Sequence, residues 1–546
     1  MSRPVTLGLI EQQADRRYLL AVNRRLSHAP NMRYWLLLWV ALTVAVPNAI
    51  PAENSPVYTP PAFADPDRLA KIENLLPQLD ALYLAHATNR HLPGFVYGVV
   101  VDGKLIHTLA WGNAQLAPDH PVETDTRFRI ASMTKSFTAL AILKLRDAGK
   151  LSLDDTIEKY VPQFAKVKPL TTDSPKIAIR HLLRMAGGFP QDDPWGDRRL
   201  ADSVAELESL VAGGLNYSNP PGVKWEYSNL GFGLLGHVVT KVARRPYQEF
   251  ITREILVPLG MTDTVWEFSQ VPTNKLALGY RWEHERFTPE PILHDGTFGA
   301  MGGLITTVTD FSRYVAMHLD AWPPRDDAEL RLVRRATLRE MHRPAELIAV
   351  NTNNFAGLPI PEVLGYSYGL RWNMDARGLF YVRHTGGLPG FGSEYRFLPE
   401  YGVGVIAFAN LTYAPMVPVN SAAIELLLSA AKLQPRFPVA SPMLKTRATQ
   451  LARIVQDWNP ADVTDALAPN VFQDKSREDW QAFAQAALVR AGPIQSVSEV
   501  TPENQLRGKF TMRGTQGSIE VFFTLMPEQP PKVQELRLTF VANKAP

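Results

Sequence analysis

Ser132 and Lys135 lie three residues apart in the segment RIASMTKSFTALAILKLRDAGK, which has the pattern of a helix that ends at Gly149. Residues i and i+3 share a helix face, so the two side chains can form a hydrogen bond. A serine hydroxyl becomes a good nucleophile when a neighbouring base takes its proton. A lysine in a desolvated pocket can be that base at neutral pH. The spacing therefore points to nucleophilic serine chemistry.

The apolar character of this helix favours a lysine that is buried rather than solvated. The alternative is a serine N-cap followed by a lysine that reaches solvent. About one or two Ser-x-x-Lys matches are expected by chance in a chain of 546 residues, so the pair needs support from other motifs.

A second motif, Tyr-x-Asn, follows the turn Pro220-Pro221-Gly222. Tyr227 could relay a proton between the serine and the leaving group, and Asn229 could orient Lys135 and a substrate carbonyl. Taken alone, the same residues also fit a loop before a glycine-rich helix start.

A third motif, His384-Thr385-Gly386-Gly387, ends a predicted strand. Glycines there allow a substrate backbone to approach closely, as in strand-addition binding. The imidazole of His384 and the hydroxyl of Thr385 could hold a substrate carboxylate or another polar terminus. The alternative is a simple strand-to-turn corner.

Composition restricts the remaining possibilities. The chain is 45% apolar and 20% charged, which is typical of a globular protein, and its length favours two domains. The net charge of +3, from 57 basic and 54 acidic residues, argues against a nucleic-acid partner. The absence of cysteine excludes disulfides, thiolate metal sites and a cysteine nucleophile. It also suits passage through an oxidising compartment.

The N-terminal segment predicts export. Met32-Arg33 precedes the apolar run YWLLLWVALTVAV, whose 13 residues are short for a membrane span, which needs about 20, and suit a signal peptide. We expect residues 1–52 to be a leader and signal peptide cleaved near Ala49 or Ala52, with Met32 as a possible true start. The alternative is an uncleaved anchor. The mature protein is then periplasmic or secreted, without a stable membrane span.

The elements that must position the motifs come from distant parts of the chain. After a proline-rich linker at 53–65, two strands around Asp102-Gly103 predict a hairpin, and a mainly helical region runs from about 132 to 340. Three consecutive strands follow at 379–386, 392–399 and 402–410, then a closing helix at 421–432. This arrangement predicts one sheet built from both ends of the domain.

Together the three motifs resemble those of the serine β-lactamase and penicillin-binding-protein superfamily, with its Ser-x-x-Lys, Tyr-x-Asn and Lys-Thr-Gly set. They occur in the same order, and the flanking sequences resemble the branch of class C β-lactamases, D,D-carboxypeptidases, D-aminopeptidases and family VIII esterases. The stretches that carry this resemblance are TRFRIASMTKSFTALAILKLRDAGKLSLDDTIEKYVPQF, IRHLLRMAGGFP, WEYSNLGFGLLGHVV, GGLITTVTDFSRYV and HTGGLPGFGSEYRFLPEYGVGVIAFAN. The resemblance covers about residues 66–433. It implies an α+β fold with an antiparallel sheet, flanking helices and a mainly helical subdomain.

The resemblance also implies site roles. Ser132 would be the nucleophile, Lys135 and Tyr227 would share the base and acid roles, and Asn229 would line the site. The backbone N–H groups of Ser132 and Gly387 would form an oxyanion hole, with each donor contributing about 3 kcal/mol.

His384 departs from the lysine of the β-lactamase pattern and removes a fixed positive charge. This departure favours a serine hydrolase that acts on D-amino-acid peptides or small esters through an acyl-enzyme, without metal or organic cofactor. The alternatives are a β-lactamase and a catalytically silent binder of peptidoglycan-like ligands.

Other conspicuous residues are predicted to be structural. Asp310 fits a helix capping box, while His181 and His294 have no partners at metal-ligand spacing. The aromatic side chains of Tyr366, Tyr368 and Trp372 are expected to pack beneath the site.

A second proline-bearing linker, at 434–443, separates a C-terminal region at 444–546. Three helical segments, at about 445–457, 461–468 and 475–491, precede the strand-like runs SIEVFFTLM and QELRLTFVA, with weaker runs near 494–500 and 507–513. This order predicts a small α+β domain that faintly resembles the nuclear-transport-factor-2 type. This region shows no set of residues typical of a catalytic site. It could cover the mouth of the active site or mediate self-association, and the sequence leaves both roles open.

Overall fold

The computed structural model describes residues 58–329 and 332–543. The predicted leader and signal peptide at 1–52, and the first part of the linker at 53–65, lie outside the described residues. In the described ranges, no helix combines the length and the apolar character that crossing a bilayer requires.

The strands form two larger antiparallel sheets and two short pairs. In chain order the strands are β1 Gly94–Val101, β2 Lys104–Leu116, β3 Asp119–Pro121, β4 Phe128–Arg129, β5 Tyr280–Glu283, β6 Arg286–Pro289, β7 Ile305–Thr306, β8 Glu346–Asn351, β9 Glu362–Ser367, β10 Leu370–Asp375, β11 Phe380–Leu388, β12 Phe391–Leu398, β13 Val403–Ala409, β14 Ile494–Val497, β15 Thr501–Asn504, β16 Arg507–Gly514, β17 Gly517–Leu525 and β18 Val533–Ala542.

The α-helices lie mainly between β4 and β8 and after β13. In chain order they are α1 Arg68–Glu73, α2 Leu76–Asn89, α3 Lys135–Asp147, α4 Ile179–Leu183, α5 Asp193–Gly196, α6 Val204–Ala212, α7 Asn229–Ala243, α8 Tyr247–Ile251, α9 Gly299–Gly302, α10 Val308–Asp320, α11 Arg335–Met341, α12 Met416–Ala430, α13 Pro442–Asp457, α14 Pro460–Ala466 and α15 Arg477–Ala491.

The large sheet has nine strands in the order β3-β2-β1-β13-β12-β11-β10-β9-β8. Phe95 on β1 pairs with Ala409 on β13, so the two ends of the domain meet at the centre of the sheet, as predicted. All eight residues of β1 are buried because helices cover both faces of the sheet. The predicted hairpin at Asp102-Gly103 is confirmed, and both turn residues have positive φ, of 49° and 78°.

The helical region packs on one face of this sheet, and its centre is α3. Ten of the thirteen residues of α3 are buried, and Gly149 follows the helix with a φ of +69°, which confirms the predicted helix end. The closing helix α12 begins at Met416 rather than at the predicted Ser421. Its earlier start includes Pro418, and a proline in the first turn of a helix loses no intrahelical hydrogen bond.

The C-terminal region combines α13–α15 with a second antiparallel sheet, in which β14, β16, β17 and β18 pair in that order and β15 pairs with β16. Buried and half-buried residues alternate along β17, because one face of the sheet packs on the helices. The three predicted helices and the four predicted strand-like runs are all present. The α+β fold class is confirmed in both regions.

The two predicted linkers contact each other. Ala62 and Phe437 exchange backbone hydrogen bonds of 3.1 and 2.8 Å. The segment that enters the large domain and the segment that leaves it therefore run side by side.

Candidate active site

Ser132 lies in a 3-10 turn, Ala131–Thr134, immediately before α3. It is therefore not the N-cap of the helix, which was the alternative to a catalytic role. Its side chain opens into a cavity of about 400 Å³, although only 7% of the residue is exposed. Lys135 begins the next turn of the chain, and its Nζ lies 2.9 Å from Ser132 Oγ. The predicted contact between the two side chains is present.

Lys135 is fully buried, as the apolar helix predicts. Its Nζ donates hydrogen bonds to Ser132 Oγ at 2.9 Å, to Asn229 Oδ1 at 2.7 Å and to the Met301 carbonyl at 2.9 Å. Burial lowers the pKa of Lys135 to about 8, and the nearby carboxylates of Asp193 and Asp197 oppose that shift. A substantial fraction of this amine is therefore neutral near physiological pH, as a general base requires.

Tyr227 is buried beside the lysine, whose Nζ lies 4.9 Å from the centre of the phenol ring. Burial raises the pKa of Tyr227 well above its usual value of 10, and a hydrogen bond with Ser132 only partly opposes this. The phenol is therefore neutral at physiological pH. It can pass a proton between oxygen atoms, but it does not act as a standing phenolate base.

Asn229 is the first residue of α7, and aspartate side chains fix this end of the helix. Asp192 accepts from the Asn229 N–H at 2.6 Å through Oδ1 and from the Leu230 N–H at 2.9 Å through Oδ2. The N-cap Ser228 accepts from Gly231 N–H at 3.1 Å. Asn229 itself is fully buried and contacts Lys135, so it orients the lysine as predicted but does not line the cavity.

The amide nitrogen of Asn229 extends this network to two more carboxylates. Nδ2 lies 3.3 Å from Asp193 Oδ1 and 3.5 Å from Asp197 Oδ1, and both aspartates line the cavity. Sequence reasoning missed all three aspartates. The signal was the acidic segment QDDPWGD, which also has the composition of an ordinary exposed loop.

Thr385, Gly386 and Gly387 line the cavity with Ser132, as predicted. A Cβ added at Gly386 would overlap the carbonyl oxygen of Ile130, two residues before the serine. Ser393 Oγ also donates to that carbonyl at 2.9 Å. Glycine is therefore required for β11 to approach the turn that carries Ser132. Ser132 and Gly387 both line this cavity, which is a requirement for an oxyanion hole formed by their N–H groups.

His384 does not occupy the predicted position. Its imidazole is fully buried and absent from the cavity wall, with Nδ1 2.6 Å from the Thr385 carbonyl and Nε2 3.3 Å from the Tyr366 hydroxyl. Burial, together with the charges of Arg371 and Lys135, holds its pKa well below the usual 6.5. The prediction that the His384 imidazole holds a substrate carboxylate is therefore wrong. The ring is a neutral support for the strand end.

Arg371, on the neighbouring strand β10, brings a positive charge to the cavity, and sequence reasoning missed this residue. Its guanidinium lies 5.5 Å from the ring centre of Trp225 and 5.6 Å from that of Tyr227, and its side chain lines the cavity. Within residues 58–329 and 332–543 it forms no ion pair. An arginine keeps its charge at all physiological pH values and binds carboxylates through two parallel hydrogen bonds.

The remaining predicted residues have structural contacts. Asp310 accepts from the Asp263 N–H at 2.7 Å and from Thr264 Oγ1 at 2.9 Å, so it ties α10 to a segment more than 40 residues earlier in the chain. His181 accepts from the Ala178 N–H at 3.1 Å at the start of α4, and His294 contacts Glu267 at the surface. In the part of the chain that the structure describes, no three His, Asp or Glu side chains are grouped to hold a metal ion.

The three aromatic residues expected beneath the site are buried. Tyr366 contacts His384 directly and packs against Trp225 at 6.2 Å between ring centres. Tyr368 receives a 3.4 Å hydrogen bond from Arg184, and Trp372 packs over Gly365 on the adjacent strand. Tyr366 is thus the member of this set that supports the site.

The chain is similar to several known proteins. Residues 73–429 match the family model described as Beta-lactamase. Protein flp of Staphylococcus aureus is 28% identical over 345 residues, which are 62% of this chain and 64% of flp. Beta-lactamase-like protein 2 of Dictyostelium discoideum is 25% identical over 364 residues, 65% of this chain and 63% of that protein. The chain thus matches less than two thirds of the length of either relative.

Two solved structures share the fold. The octameric penicillin-binding protein homologue from Pyrococcus abyssi aligns with a TM-score of 0.54 and 21% identity, over 86% of this chain and 96% of its own. The penicillin binding protein from Bacillus halodurans aligns with a TM-score of 0.50 and 25% identity, over 63% of this chain and 98% of its own. These alignments confirm the β-lactamase/transpeptidase-like fold that the motifs predict.

Proposed function

The chain belongs to the β-lactamase family, and we propose that it is a serine hydrolase that cleaves an amide or ester bond through an acyl-enzyme on Ser132. The observation that carries this proposal is the contact between Ser132 Oγ and Lys135 Nζ, 2.9 Å apart, with the lysine fully buried. A buried lysine with a lowered pKa is costly to maintain, and among the residues that the structure describes Lys135 forms no salt bridge that would justify it structurally. A base held against a serine hydroxyl is its natural explanation.

The reaction follows from the contacts. Ser132 Oγ attacks the substrate carbonyl carbon while its proton passes to the neutral amine of Lys135, directly or through the Tyr227 hydroxyl. The N–H groups of Ser132 and Gly387 stabilise the oxyanion of the tetrahedral intermediate. The proton then moves to the leaving nitrogen or oxygen, and the C–N or C–O bond breaks. Water repeats these steps on the acyl-enzyme and releases a carboxylic acid and free Ser132.

Arg371 indicates the substrate class. Arg371 and Thr385 line the same cavity as the nucleophile, so a substrate with a carboxylate can be held by a guanidinium and a hydroxyl. This supports a D-amino-acid peptide with a free terminal carboxylate as the first choice, ahead of a small neutral ester. The same charge also supports a β-lactamase as the second candidate, because β-lactams carry a carboxylate and the loss of the motif lysine at position 384 is compensated by Arg371.

Intact-mass measurement tests the proposal. The mature protein and Ser132→Ala are each incubated with a fluorophosphonate, with a β-lactam and with chromogenic ester and peptide substrates. We expect a fluorophosphonate adduct on the wild type alone. Rapid loss of a β-lactam adduct supports a β-lactamase, and a persistent adduct with peptide turnover supports a peptidase. Ester turnover without a lactam adduct supports an esterase. If the wild type shows neither adduct nor turnover, the chain is a silent ligand binder.

We also propose that the protein is exported, on the basis of the apolar run at residues 34–46. N-terminal sequencing of the protein recovered from cell fractions tests this.

We further propose that the protein can self-associate through its C-terminal region. Size-exclusion chromatography of the full chain with and without residues 444–546 tests this proposal.

A further inference from the structure

Tyr413 is held in an unfavourable backbone conformation at the edge of the catalytic cavity. Its φ of +51° lies in the left-handed region, which a bulky side chain rarely adopts. Its N–H is shared between the carbonyls of Leu388 and Phe391, at 3.4 and 3.2 Å. Asn410, three residues before Tyr413, donates hydrogen bonds through its side-chain amide to the carbonyls of Asn113, Ala114 and Leu278. Strain of this kind persists where the surroundings impose it, and it is common at functional sites.

The imposed conformation brings Tyr413 across the cavity. Its ring lies against Gly387, because a Cβ built on that glycine would be 2.7 Å from Tyr413 Cδ1. Its hydroxyl donates to Asp197 Oδ2 at 2.9 Å. Gly387 belongs to β11 and Asp197 follows α5, and both residues line the cavity that contains Ser132. We name the Tyr413 side chain and its hydrogen bond to Asp197 the clasp.

The clasp is poised to open. Tyr413 is 46% exposed, so its ring can swing into solvent without vacating a packed core. Asp197 is 2% exposed and keeps the Tyr413 hydroxyl and the Asn229 amide as partners. A substrate that displaces the ring must break the hydrogen bond from the Tyr413 hydroxyl to Asp197, whose carboxyl group still lies 3.5 Å from the Asn229 amide nitrogen. In its closed position the Tyr413 ring therefore hinders substrate entry, but the ring can move aside.

The two sides of the nucleophile differ in chemistry, which assigns the clasp to one part of the substrate. A leaving group needs a proton from Tyr227 or Lys135 and, if it carries a carboxylate, the charge of Arg371 near the Tyr227 ring. It is therefore expected on the Tyr227 side. The acyl group, attached to the same carbonyl carbon, then extends past Gly387 toward Tyr413.

We propose that Tyr413 is a specificity-determining residue, and that the clasp restricts the acyl group of the substrate to small ones. The proposal rests on the proposed function and adds to it the size class of the acyl side. Apolar residues Ala414 to Val417 continue the same cavity wall, so a larger acyl group has an apolar surface to contact once the ring has moved.

The test compares kcat/KM for 4-nitrophenyl acetate and 4-nitrophenyl octanoate, which share a leaving group and differ in the acyl chain. We expect Tyr413→Ala to raise the octanoate-to-acetate ratio about tenfold or more. Tyr413→Phe keeps the ring but loses the hydrogen bond, so it should raise the ratio about two- to tenfold. The matched control is Tyr160→Phe, which removes a 2.6 Å hydrogen bond to Asp155 outside the cavity and should leave the ratio unchanged.

A second pair of substrates, 4-nitrophenyl acetate and 4-methylumbelliferyl acetate, keeps the acyl group and enlarges the leaving group. Their ratio should not respond to either Tyr413 variant. If the octanoate-to-acetate ratio is the same in the Tyr413 variants and the wild type, or if only the leaving-group pair responds, the clasp proposal is wrong. Ester turnover in the same assays would still support the proposed function. Turnover by Tyr413→Ala alone means that the clasp closes the wild-type site. If neither protein turns over an ester or reacts with a fluorophosphonate, the proposed function fails, and the clasp fails with it.

Discussion

Lys135 and Asp197 are joined through one side chain, that of Asn229. The amide oxygen accepts from Lys135 Nζ at 2.7 Å, and the amide nitrogen lies 3.5 Å from Asp197 Oδ1. The ammonium and the carboxylate thus interact without a direct ion pair. Burial alone would push the pKa of Lys135 further down, and the charges of Asp193 and Asp197 hold it near 8. The pKa of Lys135 is therefore a balance between desolvation and the charges of these aspartates.

This balance predicts the effect of Asp197→Asn. Removing a negative charge near Lys135 destabilises the ammonium form, so the pKa of the lysine falls below its wild-type value of about 8. Burial raises the pKa of Asp197 itself to about 7, so the charge that Asn removes is present mainly above that pH. The neutral amine then persists to lower pH, and kcat/KM at pH 7 rises relative to kcat/KM at pH 8. The acid limb of the kcat/KM profile, measured with a chromogenic ester, checks this. Asp155→Asn, outside the cavity, is the control, and a limb that stays or moves to higher pH contradicts the prediction.

Arg371→Gln should discriminate between substrates with and without a carboxylate. A hydrogen-bonded charge pair is worth about 1.5–3 kcal/mol, so kcat/KM for a peptide with a free C-terminal carboxylate should fall about 10- to 100-fold. The C-terminal amide of the same peptide should lose less than about threefold. Arg371→Lys should recover part of the loss, because a point charge remains without the planar fork. If kcat/KM falls equally for the peptide acid and the peptide amide, Arg371 does not contact the substrate carboxylate.

Gly386→Ala should separate the two halves of the site. The added methyl group meets the Ile130 carbonyl, so β11 must move away from the turn that carries Ser132. A displacement of about 1 Å can cost about 100-fold in rate, and we expect at least that loss in kcat/KM. At Gly213, an added Cβ lies 3.4 Å or more from its neighbours, so Gly213→Ala is the control. Activity within about threefold of wild type for Gly386→Ala would show that the strand adapts.

The buried pair His318 and His342 predicts acid sensitivity. His318 Nδ1 lies 2.8 Å from His342 Nε2, and Trp322 Nε1 donates to His342 Nδ1 at 2.9 Å. Burial lowers the pKa of His318 to about 3, and that of His342 well below 6.5. Between pH 6.5 and 3 the unfolded chain binds protons that the folded protein does not. Stability is therefore complete above pH 6.5 and is lost as pH falls through this window.

The slope of this loss is up to about 1.4 kcal/mol per pH unit for each histidine. Chemical denaturation at pH 7, 6 and 5 measures it. His318→Asn, whose amide can still accept from His342, should reduce the slope whatever its effect on stability at pH 7. His294→Gln changes a surface histidine and should leave the slope as it is. A slope unchanged by His318→Asn would remove this pair as the source of acid sensitivity.

The sequence predicts the residues whose positions are set by local spacing. Ser132 and Lys135 are one helical turn apart, and Tyr227 and Asn229 lie at the start of a helix that packs against the same core, so the motifs determine their contacts. The hairpin at Asp102-Gly103 is equally local, because that dipeptide favours the positive φ values of the turn.

The features that the sequence does not predict depend on strand pairing and on side-chain direction. Arg371 reaches the site because β10 pairs with β11, a relationship that nothing in its own neighbourhood indicates. His384 is buried because successive strand residues face opposite sides, and a motif alone does not say which residue faces the substrate. Tyr413 acts through an imposed left-handed conformation, for which its sequence neighbours give no signal.

The central pairing of β1 with β13 has a consequence for biosynthesis. The eight buried residues of β1 acquire their inner partner only when the ribosome has reached residue 409, 314 positions after Phe95. Gly387 is made 255 residues after Ser132, which at ordinary translation rates means tens of seconds. The nascent chain therefore carries Ser132 before Gly387 exists, and the apolar strand β1 without a neighbour on that side. A truncated product that stops before β13 leaves that edge of β1 unpaired, and an unpaired apolar strand edge favours association with other chains.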